Sequence, residues 1–227
     1  HNKEDSTMDV LQAMKERHSV RSYTDRPIEG RIKDDLSSYI DDCNRDSQLH
    51  IQLVLDEPNA FDGFMAHYGK FSGVRNYIVL AGKKSPDLEE RGGYYGEKIV
   101  LHAQTLGLNT CWVAMTYSKG KAKFQLNADE KLCLVIAIGY GKTSGTAHTS
   151  KPREAVMRAN TPPDWFLQGI DAALLAPTAM NQQKFTFTLD GNKVTAKAGM
   201  GFYSKIDLGI AKCHFELGAG AQHFQWA

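Results

Sequence analysis

The chain predicts an α/β or α+β domain, because stretches with apolar residues at helical spacing take turns with stretches that alternate as strands do. Gly, Pro, Asn and Asp separate most of these stretches. Of its 227 residues, 42% are hydrophobic, enough for a sizeable core.

Ser6 or Thr7 can cap a first helix running to about Glu16, with Val10, Leu11 and Met14 on one face. Pro27 ends the extended segment Ser22 to Arg26. Ile32, Leu36, Tyr39, Ile40 and Cys43 then recur at helical spacing. Leu49, Ile51, Leu53 and Leu55 alternate as a half-buried strand that ends in the turn Asp56-Glu57-Pro58-Asn59. Asn76 to Gly82 is an apolar run suited to a central strand. A helix from about Glu97 stops at Gly107, where glycine tolerates the left-handed conformation. Strands follow at about Asn109 to Met115 and Leu132 to Ile138, with a short helix between them.

Gly141 to Ser150 is rich in Gly, Ser and Thr, and Pro162-Pro163 opens a new unit whose helix, capped by Asp164, runs through Leu175. The turn Asp190-Gly191-Asn192 joins strands Lys184 to Asp190 and Lys193 to Ala198. A last helix, about Asp207 to Gly218, puts Ile210, Cys213, His214 and Leu217 on one face.

The 27 basic and 26 acidic residues balance, leaving no electrostatic footprint for nucleic acid or an anionic membrane. Cys43, Cys111, Cys133 and Cys213 are scattered through apolar segments, as buried thiols in a reducing compartment would be. The histidines lack metal-ligand spacing, so no metal site is expected. With no membrane-length apolar run and a polar start from His1 to Thr7, the expected location is the cytoplasm. Gly141-Lys142-Thr143 resembles the end of a P-loop, but Ile136 stands where a glycine is required.

Two segments carry the chemistry. Arg17-His18-Ser19-Val20-Arg21-Ser22-Tyr23 spaces two guanidinium groups around a hydroxyl, which suits a dianionic phosphate and an electron-rich ring. Ala176-Pro177-Thr178-Ala179-Met180-Asn181-Gln182-Gln183 adds amide and hydroxyl groups able to bind a heterocycle edge. With Leu106-Gly107-Leu108-Asn109-Thr110-Cys111-Trp112, Val135-Ile136-Ala137-Ile138-Gly139-Tyr140 and Lys151-Pro152-Arg153, these segments resemble the FMN-dependent nitroreductase family over most of the chain, and its small single-chain branch most closely.

The resemblance implies an α+β sandwich with a central mixed or antiparallel sheet, and a bound FMN. It implies that Arg17 and Ser19 hold the phosphate with Lys151 and Arg153, and that Arg21 reaches the N1/O2 edge of the ring. A guanidinium there stabilises the charge of the reduced ring. Pro177, Thr178, Asn181 and Gln183 come from the second motif to lie over or beside the ring, and the backbone of Ala114 and Met115 approaches N5. His18 contacts ribityl or phosphate, or flanks the site through its backbone. Trp112 is a wall residue or a core tryptophan, and Lys70 a lysine near the pyrimidine edge or a solvated loop residue. Gln183 is followed by Lys184-Phe185 where the family has Pro-Trp, and Ala114 stands where some relatives have Glu, so the substrate pocket departs from theirs.

In the family the two motifs lie one helix apart, and each site joins two subunits. Here each half of the chain keeps the motif the other lacks, which implies a pseudo-dimer with one composite site: residues 1–160 form the first half and 161–227 a shorter second half. The parallel between Ile40-Asp41-Asp42 with Gln52 to Asp56 and Ile170-Asp171-Ala172 with Phe185 to Asp190 is also what chance gives. The expected activity passes electrons from NADH or NADPH to an electron-poor acceptor such as a nitroaromatic or quinone. The flavin is the catalyst, so no catalytic side chain is assigned. The alternative is a flavin-binding sensor or storage protein without turnover. A monomer is favoured, a homodimer possible, and the partner is a small-molecule substrate.

Overall fold

The computed structural model describes residues 10–227, so a cap at Ser6 or Thr7 lies outside the described residues. The fold is α+β, with two four-stranded sheets and their helices. By packing, the chain divides into two compact units. One comprises residues 17–88 and 99–147, the other residues 10–16, 89–98 and 148–227 among those described. The division at 160/161 concerns the kinship of the two halves and stays a proposal.

The first unit holds α2 (Gly30–Ser47), α3 (Phe64–Tyr68) and strands β1 (Gln52–Val54), β2 (Tyr77–Lys83), β3 (Asn109–Val113) and β4 (Glu130–Gly139). Their order is β1-β2-β4-β3 and every neighbouring pair is antiparallel, which decides between the α/β and α+β readings for this sheet. The central β2 is buried from Tyr77 through Gly82, as its continuous apolar run predicts. Leu36, Ile40 and Cys43 form the buried stripe of α2.

Strand β1 is shorter than the expected Leu49 to Leu55. The Asn44 amide takes both backbone groups of Ile51, donating to its carbonyl at 2.9 Å and accepting its N–H at 2.8 Å. On this edge strand the Asn44 side chain satisfies Ile51, while His50 N donates to Ala81 O at 2.8 Å and the regular register runs from Gln52. The Asp56 to Asn59 turn is fixed by the buried Glu57 carboxylate, which accepts from Asn59 N at 2.8 Å and from the Tyr77 hydroxyl at 2.7 Å.

Helix α1 covers residues 10–16. Helix α4 (Leu88–Thr105) starts nine residues before the expected Glu97. The pair Gly92-Gly93 reads locally as an interruption, yet the structure needs glycine there: a Cβ on Gly93 would stand 2.1 Å from Ile206 O. In the facing helix α6 (Ser204–Ala219), a Cβ on Gly209 would stand 1.9 Å from Glu90 O, so the helix backbones are in contact. Gly107 ends the α4 segment with φ +85°, as expected.

The second unit adds α5 (Asp164–Leu174) and the strands β5 (Met157–Arg158), β6 (Phe185–Asp190), β7 (Lys193–Ala198) and β8 (Gln225–Trp226), in the order β5-β6-β7-β8. The β6–β7 hairpin turns on Gly191 at φ +62°, as the sequence predicts, and the outer pairs are parallel. Asp164 is the first helical residue; Pro163 occupies the cap and no side chain bonds there. The Asp164 charge instead acts on the helix dipole from the first turn. Ile210, Cys213 and His214 are buried and Leu217 half-buried, and Phe215 stacks on Phe187 with ring centres 4.6 Å apart.

Among the described residues no helix is long and apolar enough to cross a membrane. None of their His, Cys, Asp and Glu side chains form a group of three or more that could hold a metal. Of the four cysteines, Cys43, Cys111 and Cys213 are buried and Cys133 is half-buried.

Candidate functional site

In the first unit, the Arg17 segment runs extended beside β3. Val20 N donates to Thr110 O at 3.0 Å, Tyr23 N to Ser72 O at 2.9 Å and Thr24 N to Tyr140 O at 2.8 Å. Ser19 is bridged to Thr110, which places it beside Cys111 of β3, and the Arg17 and Arg21 charges act on the same thiol. Burial pushes the Cys111 thiol up, while the Arg21 charge, the Ser19 hydroxyl and the Arg17 charge pull it down. Burial likewise holds the Tyr23 phenol well above its ordinary range, with Arg21 opposing. Arg17 is 3% exposed, whereas Arg21 is open to solvent.

Two glycines stand against the backbone of this segment. A Cβ on Gly145 (φ +76°) would stand 2.7 Å from Ser19 O and 2.8 Å from the His18 Cβ, and one on Gly73 (φ +73°) would stand 2.4 Å from Tyr23 O. Sequence reasoning read Cys111 only as a buried thiol and Gly145 only as part of a Gly-, Ser- and Thr-rich stretch, and did not single out Gly73. Nothing local marks them, because their role is to be touched by a segment distant in the chain. The hydroxyls of Tyr23 and Thr110 are buried and make no hydrogen bond among the described residues. Such buried groups ordinarily find a partner.

Lys70 is exposed, with φ +65°. Two residues on, Ser72 N donates to Arg21 O at 2.9 Å, so the fold brings the Lys70 turn to the Arg21 backbone. Trp112 is half-buried on β3, and strand alternation sends it to the sheet face opposite Cys111. It is therefore not gathered with Arg17, Ser19 and Arg21. Ala114 is half-buried and Met115 is 65% exposed, just past the end of β3.

In the second unit, the other motif forms one hydrogen-bonded loop after α5. Pro177 is buried, and Met180, Asn181 and Gln183 have φ of +51°, +52° and +46°. Left-handed geometry costs an ordinary side chain roughly 1–2 kcal/mol per residue, somewhat less for Asn, so other contacts must hold this loop. Gln183 N donates to Thr178 Oγ1 at 3.1 Å. The Gln183 amide is spent on the scaffold: Nε2 donates to Thr149 O at 3.0 Å and to Asn181 Oδ1 at 2.8 Å, and Oε1 accepts Lys151 N at 2.9 Å.

Gln183, expected to lie over or beside a ring, is thus buried and ties Lys151 to Asn181. Asn181 is exposed, its Nδ2 on Thr149 O at 2.9 Å. Arg153, expected to help a phosphate, has two of its guanidinium N–H groups on Asp171, both at 2.7 Å. The fold therefore links Lys151, Thr178, Asn181 and Gln183 in the second unit, and Arg17, Ser19 and Arg21 in the first. Guanidinium groups and a hydroxyl on one short segment are a donor set that fits a phosphate.

Two units, each a four-stranded sheet with helices, make this an α+β protein of nitroreductase-like fold. The chain belongs to the family described as "Putative TM nitroreductase", whose model matches residues 9–219, and that membership makes it an oxidoreductase of nitroreductase type. It is similar in fold to a "putative nitroreductase" structure from Thermotoga maritima, with TM-score 0.67 and 24% identity over 92% of this chain and 82% of that one. A nitroreductase family protein from Streptococcus pneumoniae gives TM-score 0.53 at 14% identity, over 66% of this chain and 99% of that one. No curated protein matches the chain.

Proposed function

We propose that the chain is an FMN-dependent oxidoreductase that takes electrons from NADH or NADPH and passes them to an electron-poor acceptor such as a nitroaromatic or quinone. The observation that carries this reading is the docking of the Arg17 to Arg21 segment on β3, with Ser19 bridged to Thr110 and Arg17 buried, in a chain of the nitroreductase family. Bound FMN would supply the hydride and electron chemistry. The buried Arg17 and the Ser19 hydroxyl would hold its phosphate, and Arg21, with Lys70 in the adjoining turn, would face the pyrimidine edge. Thr178 and Asn181 would serve the ring from the second motif, with Lys151 at the phosphate. Gln183 and Arg153, engaged within the protein, would act by fixing Asn181, Lys151 and the end of α5.

We further propose that residues 1–160 and 161–227 descend from one ancestral half, and that one chain by itself binds one FMN. The purified protein is expected to be yellow, to bleach anaerobically on addition of NADH or NADPH, and to release FMN on heating, identified by chromatography. Release of FAD, or no flavin bound after incubation with FMN, would overturn the reading; FMN that no nicotinamide bleaches would leave a flavin-binding protein without turnover.

A further inference from the structure

In the second unit the loop of the Asn181 motif is held from α6 by one side chain. Asp207 lies in the first turn of that helix and is 3% exposed. Its carboxylate accepts Ala179 N at 3.1 and 3.2 Å through its two oxygens, and Gln182 Nε2 at 2.7 Å. Ala179 and Gln182 bracket Met180 and Asn181, two of the three left-handed residues of the loop. Gln182 is itself pinned from a third side, since Nε2 also donates to Phe202 O at 2.9 Å and a Cβ on Gly201 would stand 2.7 Å from Oε1.

We infer that Asp207 is the positioning residue of the flavin loop, holding Thr178 and Asn181 in the geometry that meets the ring. The inference rests on the flavin reading above. Two donors converge on Asp207 from either side of the left-handed pair, and a carboxylate has the lone pairs to take both in charge-assisted bonds. An amide in its place keeps one oxygen for Ala179 N. A methyl keeps none and leaves both donors without an acceptor, so the backbone at Met180 and Asn181 is released toward ordinary geometry. Asp207 touches no ligand in this scheme, which separates it from the residues of the motif itself.

The test combines amide hydrogen exchange of residues 178–184 with titration of FMN into the flavin-free full-length chain, for the parent, Asp207→Ala, Asp207→Asn and Gln182→Ala. Asp207→Ala should speed exchange in that loop at least tenfold while the β6–β7 amides keep their protection, and weaken FMN binding at least tenfold. Asp207→Asn should recover most of both losses, and Gln182→Ala, a milder cut at a half-buried position, should weaken FMN about three- to tenfold. If Asp207→Ala fails to fold, Gln182→Ala and Asp207→Asn decide: parent-like exchange and parent-like FMN affinity in both would overturn the inference. So would faster exchange with unchanged FMN affinity in any variant. A parent chain that binds no FMN would defeat the flavin reading, and with it the role toward the ring, whereas loosened exchange in Asp207→Ala would still establish Asp207 as the anchor of the loop.

Discussion

His214 Nε2 lies 2.5 Å from Glu97 Oε2, with both side chains fully buried, and His214 Nδ1 lies 2.9 Å from Ala172 O. A carbonyl can only accept, so Nδ1 carries a proton. One further proton then lies between Nε2 and the carboxyl, and the pair is neutral overall whichever atom holds it. Helices α4, α5 and α6 are tied together through this imidazole.

The proton count predicts an asymmetry between two substitutions at position 97. Glu97→Gln can donate its amide N–H to Nε2 of a neutral imidazole and should change unfolding stability by less than about 1 kcal/mol, in the range of one ordinary hydrogen bond. Glu97→Ala leaves a buried imidazole nitrogen without its partner and should cost about 1–3 kcal/mol. Urea denaturation of the two variants checks this; equal losses would show that the pair does not share a proton in this way.

Asp207 predicts a pH dependence. Burial pushes its carboxyl up from 3.8 to about 6, against the lowering effect of the Gln182 and Ala179 hydrogen bonds. With the folded value above the unfolded one, the native state binds the proton more tightly. The stabilisation is present in full below about pH 4 and is lost as the pH rises through 6. At 1.36 kcal/mol per pH unit this amounts to about 3 kcal/mol between the two limits. The stability of the parent relative to Asp207→Asn should therefore fall across that window, and denaturation curves at pH 4, 5, 6 and 7 would measure it. A flat difference would show that Asp207 titrates as an exposed carboxyl does.

Arg17 and Arg21 should separate by readout. Arg17→Ala removes a buried guanidinium from the proposed phosphate site and should weaken FMN binding by about 1.5–3 kcal/mol, the worth of a hydrogen bond to a charged group. Arg21→Ala, at an exposed position, should mainly lower the flavin reduction potential, because its charge favours the reduced ring. Spectroelectrochemistry on both variants distinguishes them, and an unchanged potential for Arg21→Ala would remove that residue from the ring edge.

One chain should suffice for one flavin. Chains carrying Arg17→Ala and Asn181→Ala, each deficient in FMN binding, should remain deficient when mixed. Recovery of binding in the mixture, followed by flavin fluorescence, would mean that the site is shared between two chains.

The sequence alone determined the elements whose reasons are local. Phe185 and Phe187 alternate into the Asp190-Gly191-Asn192 turn and the β6–β7 hairpin follows; Leu36, Ile40 and Cys43 repeat at helical spacing and α2 follows; Gly107 stops α4 where a left-handed residue is needed. The proposal that Arg17, Ser19, Arg21, Thr178 and Asn181 serve a flavin also starts from the sequence, since ligand chemistry restricts residue type. What only the tertiary structure decided depends on contacts between distant segments. Gly92-Gly93 looks like a helix breaker until Ile206 O is found 2.1 Å from a Cβ at Gly93, and the groups of Ile51 find their partners on Asn44. The two-residue strands β5 and β8 exist only as partners of β6 and β7. The same holds for the supports of the site, where Cys111, Gly145 and Asp207 carry no local pattern: a close approach or a buried hydrogen bond is a property of two segments, and spacing along one of them does not encode it.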